Sequence, residues 1–138
     1  MNNFEIVWTE KKMGSKKLEV GGCPDLLVKK DGKYILVDFK TSKAIYSDMI
    51  IQLSSYAELI RESEGIEIDK AIIVRFPKED DDTEIKEFSK EDLAVGLKQF
   101  KLLRKAFDID KDLNKILKRK KKWIKKIKIK NARPWKML

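Results

Sequence analysis

Asp31-Gly32 stands between two apolar runs, Leu26–Val28 and Tyr34–Val37. A tight two-residue hairpin of the primed kind needs residues that tolerate positive φ, and this dipeptide is a strong short-range signal for one. The pair therefore predicts an antiparallel hairpin and, with it, a register. For a turn centred on Asp31 and Gly32, Asp25 falls opposite Asp38. The strand Tyr34–Lys40 puts Ile35, Val37 and Phe39 on one face, and Leu36, Asp38 and Lys40 on the other. Asp38 and Lys40 interrupt an apolar strand two residues apart, so their side chains point the same way. One turn thus brings two carboxylates and a lysine to one spot.

Carboxylates placed that close repel, and one of them tends to keep a proton. A divalent cation removes the penalty and turns the pair into a metal site. Composition narrows the choice of ion. With one Cys and no His, the chain can form no internal disulfide, no Cys/His zinc site and no Cys-ligated iron–sulfur cluster. Serine–histidine and cysteine–histidine catalysis are excluded as well. The ligands left are hard oxygens, which favour Mg²⁺ or Mn²⁺. Phosphodiester hydrolysis uses such an arrangement: the metal polarises the phosphate and activates water, and a nearby lysine orients that water or stabilises the developing charge. The plain alternative is that Lys40 only neutralises Asp38 as an ion pair.

Around this centre the pattern predicts a mixed order of elements. Phe4–Thr9 reads as a strand, 11–17 as a turn, and Leu18–Val28 as a second strand broken near Gly21, Gly22 and Pro24. Ser47 or Asp48 can cap a helix running to about Ser63, with Met49, Leu53, Tyr56, Leu59 and Ile60 at helical spacing. Ala71–Phe76 reads as a buried strand and Thr83–Phe88 as an outer one. Ser89, with Asp92 three residues on, caps a helix carrying Leu93, Leu97, Phe100, Leu103 and Phe107. A final helix is expected near Asp110. The fold class is α/β in the wide sense (α+β), a small mixed sheet with helices packed on it. Two parts are expected: a core over 1–110 and a basic amphipathic helix and tail over 111–138.

Gly21-Gly22-Cys23-Pro24-Asp25-Leu26-Leu27, followed by Asp38-Phe39-Lys40-Thr41-Ser42, resembles the PD-(D/E)XK nuclease superfamily. Within it, the RecB-like branch of CRISPR-adaptation nucleases, the mitochondrial genome maintenance exonuclease and many phage proteins is the most similar. That branch carries a Q-x-x-x-Y motif on the following helix, matched here by Gln52 and Tyr56. The resemblance covers roughly 18–76 and implies a restriction-endonuclease-like core. It implies that Asp25, Asp38 and the Phe39 carbonyl hold Mg²⁺ or Mn²⁺, and that Lys40 acts on water. Gln52, Tyr56, Thr41 and Ser42 would support the site or hold DNA. Relatives also carry an N-terminal helix whose acidic residue or His completes the metal site. The 24 residues before Asp25 read instead as strand and turn, which leaves Glu10, and less so Glu5, as substitutes. The lone Cys23 departs from relatives that hold a four-cysteine cluster.

Charge is unevenly placed. Residues 111–138 hold thirteen Lys/Arg and one Asp, out of a net +9 for the whole chain. Leu113, Ile116, Leu117, Ile124 and Ile127 form an apolar stripe among them. Lys118, Arg119, Lys120, Lys121, Lys122, Lys125 and Lys126 are candidates for phosphate-backbone contacts, and Trp123 and Trp135 for base stacking. Docking of the stripe on the sheet is the bland reading. The N-terminus lacks a leader-like apolar region, and no apolar run nears the roughly 18 residues that span a bilayer. An intracellular, cytoplasmic protein is expected, without a membrane partner, and by resemblance phage- or mobile-element-encoded. The reading is a metal-dependent deoxyribonuclease, an exonuclease by resemblance, acting on DNA ends or single strands in recombination, repair or phage DNA processing. An inactive nuclease-fold subunit that binds DNA or recruits a partner is the main rival, and a lipid-surface protein a lesser one. A homo-oligomer or a partner protein stays open.

Overall fold

The computed structural model describes residues 4–79 and 82–127, with side chains to residue 121. The order is β1 (Phe4–Thr9), β2 (Met13–Ser15), β3 (Val20–Gly22), β4 (Leu26–Lys30), β5 (Lys33–Lys40), α1 (Ser47–Glu64), β6 (Lys70–Arg75), β7 (Glu84–Ser89) and α2 (Lys90–Ile127). Contacts divide the chain into two compact units, Met1–Leu102 and Leu103–Leu138.

In the first unit, five strands form one mixed sheet in the order β1-β4-β5-β6-β7. Asp31 at φ 51° and Gly32 at φ 78° make the tight turn, and β4 pairs with β5 from Lys30↔Lys33 to Leu26↔Val37. That register continues onto Asp25 and Asp38. β6 then runs parallel to β5, as a helical crossover through α1 requires. The α+β architecture with a small mixed sheet is therefore the observed one. Among the described residues, no helix is long and apolar enough to cross a membrane.

The sheet is apolar on both faces. On the helix side, Leu27, Leu36, Ala71 and Ile73 pack with Leu53 and Ile60 of α1 and Leu93 of α2. On the other side lie Val28, Ile35 and Val37, with Leu26, Ile72 and Val74 against them. The pairing adds Ile6 and Ile85 to that second face, and both are exposed.

Four features depart from the sequence reading. Residues 13–15 and 20–22, expected as turn and broken strand, form a separate two-stranded sheet. Both pieces are too short and glycine-rich to show a period. A β-bulge lies between Ile6 and Trp8. The extra residue turns Trp8 from the face of Ile6 to that of Leu27, where it packs on the core and its Nε1 donates to Glu64 Oε2 at 3.0 Å. The N-cap of α1 is Tyr46 rather than Ser47 or Asp48. Finally, no new helix starts near Asp110, because α2 runs on to Ile127. Its start is the capping box that the sequence suggests: Asp92 N donates to Ser89 Oγ at 3.2 Å, and Ser89 N to Asp92 Oδ2 at 2.9 Å.

Candidate functional site

Asp25 stands one residue before β4, where its side chain faces the end of β5. Its Oδ2 accepts the Phe39 N–H at 3.0 Å. The loop behind it is pinned, since Glu10 N donates to the Asp25 carbonyl at 2.7 Å and Lys11 N to that of Pro24 at 3.3 Å. Asp38, across the register, is only 4% exposed. Lys40 Nζ lies 2.9 Å from Asp38 Oδ2, yet that buried oxygen accepts no well-aligned hydrogen bond. The Asp38 carboxyl is pushed up from 3.8 to about 6, mainly by burial and also by the neighbouring Asp25 carboxyl, with Lys40 pulling the other way.

From the helix side, α1 closes over the centre. Lys40 Nζ donates to Gln52 Oε1 at 2.7 Å, and Gln52 Nε2 donates to Tyr56 Oη at 3.1 Å. Four residues apart, Gln52 and Tyr56 share one helix face. The Tyr56 hydroxyl is held above its ordinary value, by burial first and then by the Asp38 charge. A chain of polar contacts therefore runs from Tyr56 through Gln52 and Lys40 to the carboxylate pair. It holds the lysine ammonium over Asp38 instead of leaving it to swing on a flexible stem.

Gly22 lets this chain form. A Cβ there would lie 2.4 Å from Tyr56 Cε1, whereas one at Gly21 would meet nothing nearer than the Met13 carbonyl at 3.4 Å. Gly22→Ala is expected to displace the Tyr56 ring and cost about 1–3 kcal/mol by overpacking. Gly21→Ala should stay near wild type. Thermal melts of the two variants side by side check this. Equal behaviour would remove the glycine from the argument.

The other sequence candidates are placed as follows. Thr41 is exposed. Ser42 Oγ donates to the Ala44 carbonyl at 2.8 Å, which serves the loop after Lys40. Glu10 touches the site through its backbone, and its residue is exposed. Among the described residues, no three His, Cys, Asp or Glu side chains cluster where they could hold a metal ion. Lys118, Arg119, Lys120 and Lys121 are exposed on α2. The side chains of Lys122, Trp123, Ile124, Lys125, Lys126 and Ile127, and all of Trp135, lie outside the described residues. Arg75 was not singled out. It is buried at the end of β6, where its Nε donates to Glu84 at 2.9 Å and its Nη1 to the Ser42 carbonyl at 3.2 Å. An arginine closing an otherwise apolar strand is the signal that could have found it.

The donor set fits a hard divalent cation: two adjacent carboxylates, one with a buried oxygen lacking an aligned donor, beside the main chain of Phe39. The family model of the PD-(D/E)XK nuclease superfamily matches residues 1–133. No curated protein matches the chain. Sixteen chains of solved structures do. One, described as a "putative exonuclease" from Eubacterium rectale, shares 14% identity at a TM-score of 0.51, over 69% of this chain and 41% of its own length. Another, SSO0001, shares 16% identity at a TM-score of 0.43, over 72% of this chain and 48% of its own length. The chain thus spans less than half the length of either.

Proposed function

Since the chain belongs to the PD-(D/E)XK nuclease superfamily, we propose that it hydrolyses DNA phosphodiester bonds at the centre formed by Asp25, Asp38 and Lys40. The observation that carries the reading is the lysine locked by Gln52 over a buried carboxylate, one of whose buried oxygens accepts no aligned hydrogen bond. Asp25, Asp38 and the Phe39 carbonyl would hold Mg²⁺ or Mn²⁺. When bound, that ion supplies charge against the phosphate and acidifies its water. Lys40 then presents its N–H groups to the attacking water or to the charge that builds on phosphorus-bound oxygen. Gln52 fixes the direction of that ammonium, and Tyr56 fixes Gln52. Thr41 and Ser42, just past Lys40, would support the site or the strand being cut.

Action on DNA ends or single strands, in the manner of the RecB-like branch and of phage enzymes, is the form of the activity we propose, supported by the motif order and by the exonuclease description of the Eubacterium rectale protein. The basic run from Lys118 onward would hold phosphates without reading sequence. A specific observation favours one second reading. With no third carboxylate near the pair among the described residues, the chain would bind DNA without cutting it unless another segment or chain completes the site.

The test is cleavage of labelled linear single- and double-stranded DNA and of a closed circle, with Mg²⁺ or Mn²⁺ and with chelator. Metal-dependent loss of linear DNA with the circle untouched is the expected result. Cutting of the circle would make the enzyme an endonuclease. Binding without cleavage in either metal would establish the second reading.

A further inference from the structure

Among the described residues, with side chains to residue 121, the second unit is one stretch of helix that carries several exposed apolar residues. One of them is accounted for. Phe107 lies between the Arg104 guanidinium at 5.3 Å and the Lys111 ammonium at 4.6 Å from its ring. A different line is not. Ala106, Ile109, Leu113 and Ile116 follow one another at alternating steps of three and four, and Ile109, Leu113 and Ile116 are 60%, 53% and 41% exposed. In the sequence the same steps run back to Leu102 and on to Lys120, Trp123 and Ile127. A strict seven-residue repeat drifts around a straight helix and stays in register only against a partner helix that coils with it. A sheet or a nucleic-acid backbone does not ask for that period.

Charge says which partner fits. Asp108, Asp110 and Asp112 stand close in sequence, about two helical turns before the basic run Lys118–Lys122. Two copies side by side in the same direction would set basic run on basic run and acidic trio on acidic trio. Reversed and staggered, they set each trio against the other's basic run. We infer that this seam pairs with the same seam of a second copy of the chain in antiparallel fashion, with Leu113 opposite Ile116 of the second copy. In that register Asp112 flanks Arg119 of the second copy, twice by symmetry. Lys120 lies over Ile109 of the second copy, where its stem can cover the isoleucine while the ammonium reaches the aspartates.

Light scattering on the full chain without nucleic acid should give twice 16.2 kDa, and Leu113→Glu should give the single mass. A single mass for wild type at every concentration overturns the inference and leaves the stripe to nucleic acid or another protein. Orientation is read by disulfide trapping on a Cys23→Ser background. A mixture of Leu113→Cys and Ile116→Cys chains, one tagged, should form the mixed crosslink in preference to either self-crosslink. Lys111→Cys, off the seam, should form none. Self-crosslinking at both positions would show a parallel pair and overturn the arrangement. Asp112→Arg should weaken the dimer about tenfold, and the added Arg119→Asp should restore it. Unchanged melting of the first unit in each variant separates loss of pairing from loss of fold.

Discussion

Lys40→Met is expected to lower DNA cleavage by about a thousandfold, the scale seen when one preorganised donor is removed from a reacting centre. Its apolar stem is retained, so the packing of β5 against α1 should survive. What disappears is the ammonium that Gln52 Oε1 and Asp38 Oδ2 hold at 2.7 and 2.9 Å. Lys40→Arg should rescue little. The guanidinium is longer and planar, and it has to meet an amide and a carboxylate already spaced for a point charge. Gln52→Leu tests the same idea from the other end, because it leaves the lysine charged and present but free to turn. A smaller loss, about tenfold, is expected there, mostly in the rate of the bound complex and little in DNA affinity. Single-turnover rates and separate binding titrations on the same duplex distinguish these effects. If Lys40→Met cuts at the wild-type rate while folded, the centre is elsewhere.

Much of this centre was legible because a two-residue turn leaves no slack. Once Asp31 and Gly32 take the turn, every later pair across the hairpin is fixed, and Asp25 must arrive beside Asp38. The reciprocal bonds of Ser89 and Asp92 were legible for a similar reason: they are local, and three residues set their geometry. What the spacing could not say was where Lys40 would point. Gln52 and Tyr56 were predictable as neighbours on a helix face. The Lys40–Gln52 bond depends on how α1 packs on the sheet, and no local rule carries that. The space left by Gly22 for the Tyr56 ring is tertiary in the same way.

The misread elements have physical reasons as well. The helix start expected near Asp110 falls among three aspartates, 108, 110 and 112, a residue type that favours caps. No glycine or proline separates them from the preceding helix, however, and within α2 they find helical partners. Arg104 Nη2 lies 3.4 Å from Asp108, and Lys115 Nζ lies 3.3 Å from Asp112. Propensity alone gave way to spacings of three and four. The bulge after Ile6 is also silent in the sequence. Only the need of Trp8 to reach Glu64 and the helix-side core shows why the strand takes an extra residue.

Asp38→Asn should inactivate the enzyme and yet stabilise the metal-free protein. The sign follows from the raised carboxyl. In the unfolded chain Asp38 titrates at 3.8, and in the fold at about 6, so the folded state holds the proton more tightly. Its contribution is complete below about pH 4 and is lost as pH rises through 6. Above that, the buried charge costs the fold about 3 kcal/mol, at 1.36 kcal/mol for each pKa unit. Asparagine carries no charge to bury, although it leaves Lys40 without its ion pair, so a net gain of about 1–3 kcal/mol is expected at pH 8. For a domain of this size that is several degrees in melting temperature. The gap should close as pH falls toward 4, where wild type is protonated too. Mg²⁺ or Mn²⁺ at pH 8 should raise the melting temperature of wild type and leave the variant unmoved, because a cation relieves the same repulsion that the amide removes. Melting curves from pH 4 to 8, with chelator and with each metal, decide the matter. A variant that melts below wild type by the same margin at every pH would mean that Asp38 is a net contributor to the fold, and that burying its charge carries no cost.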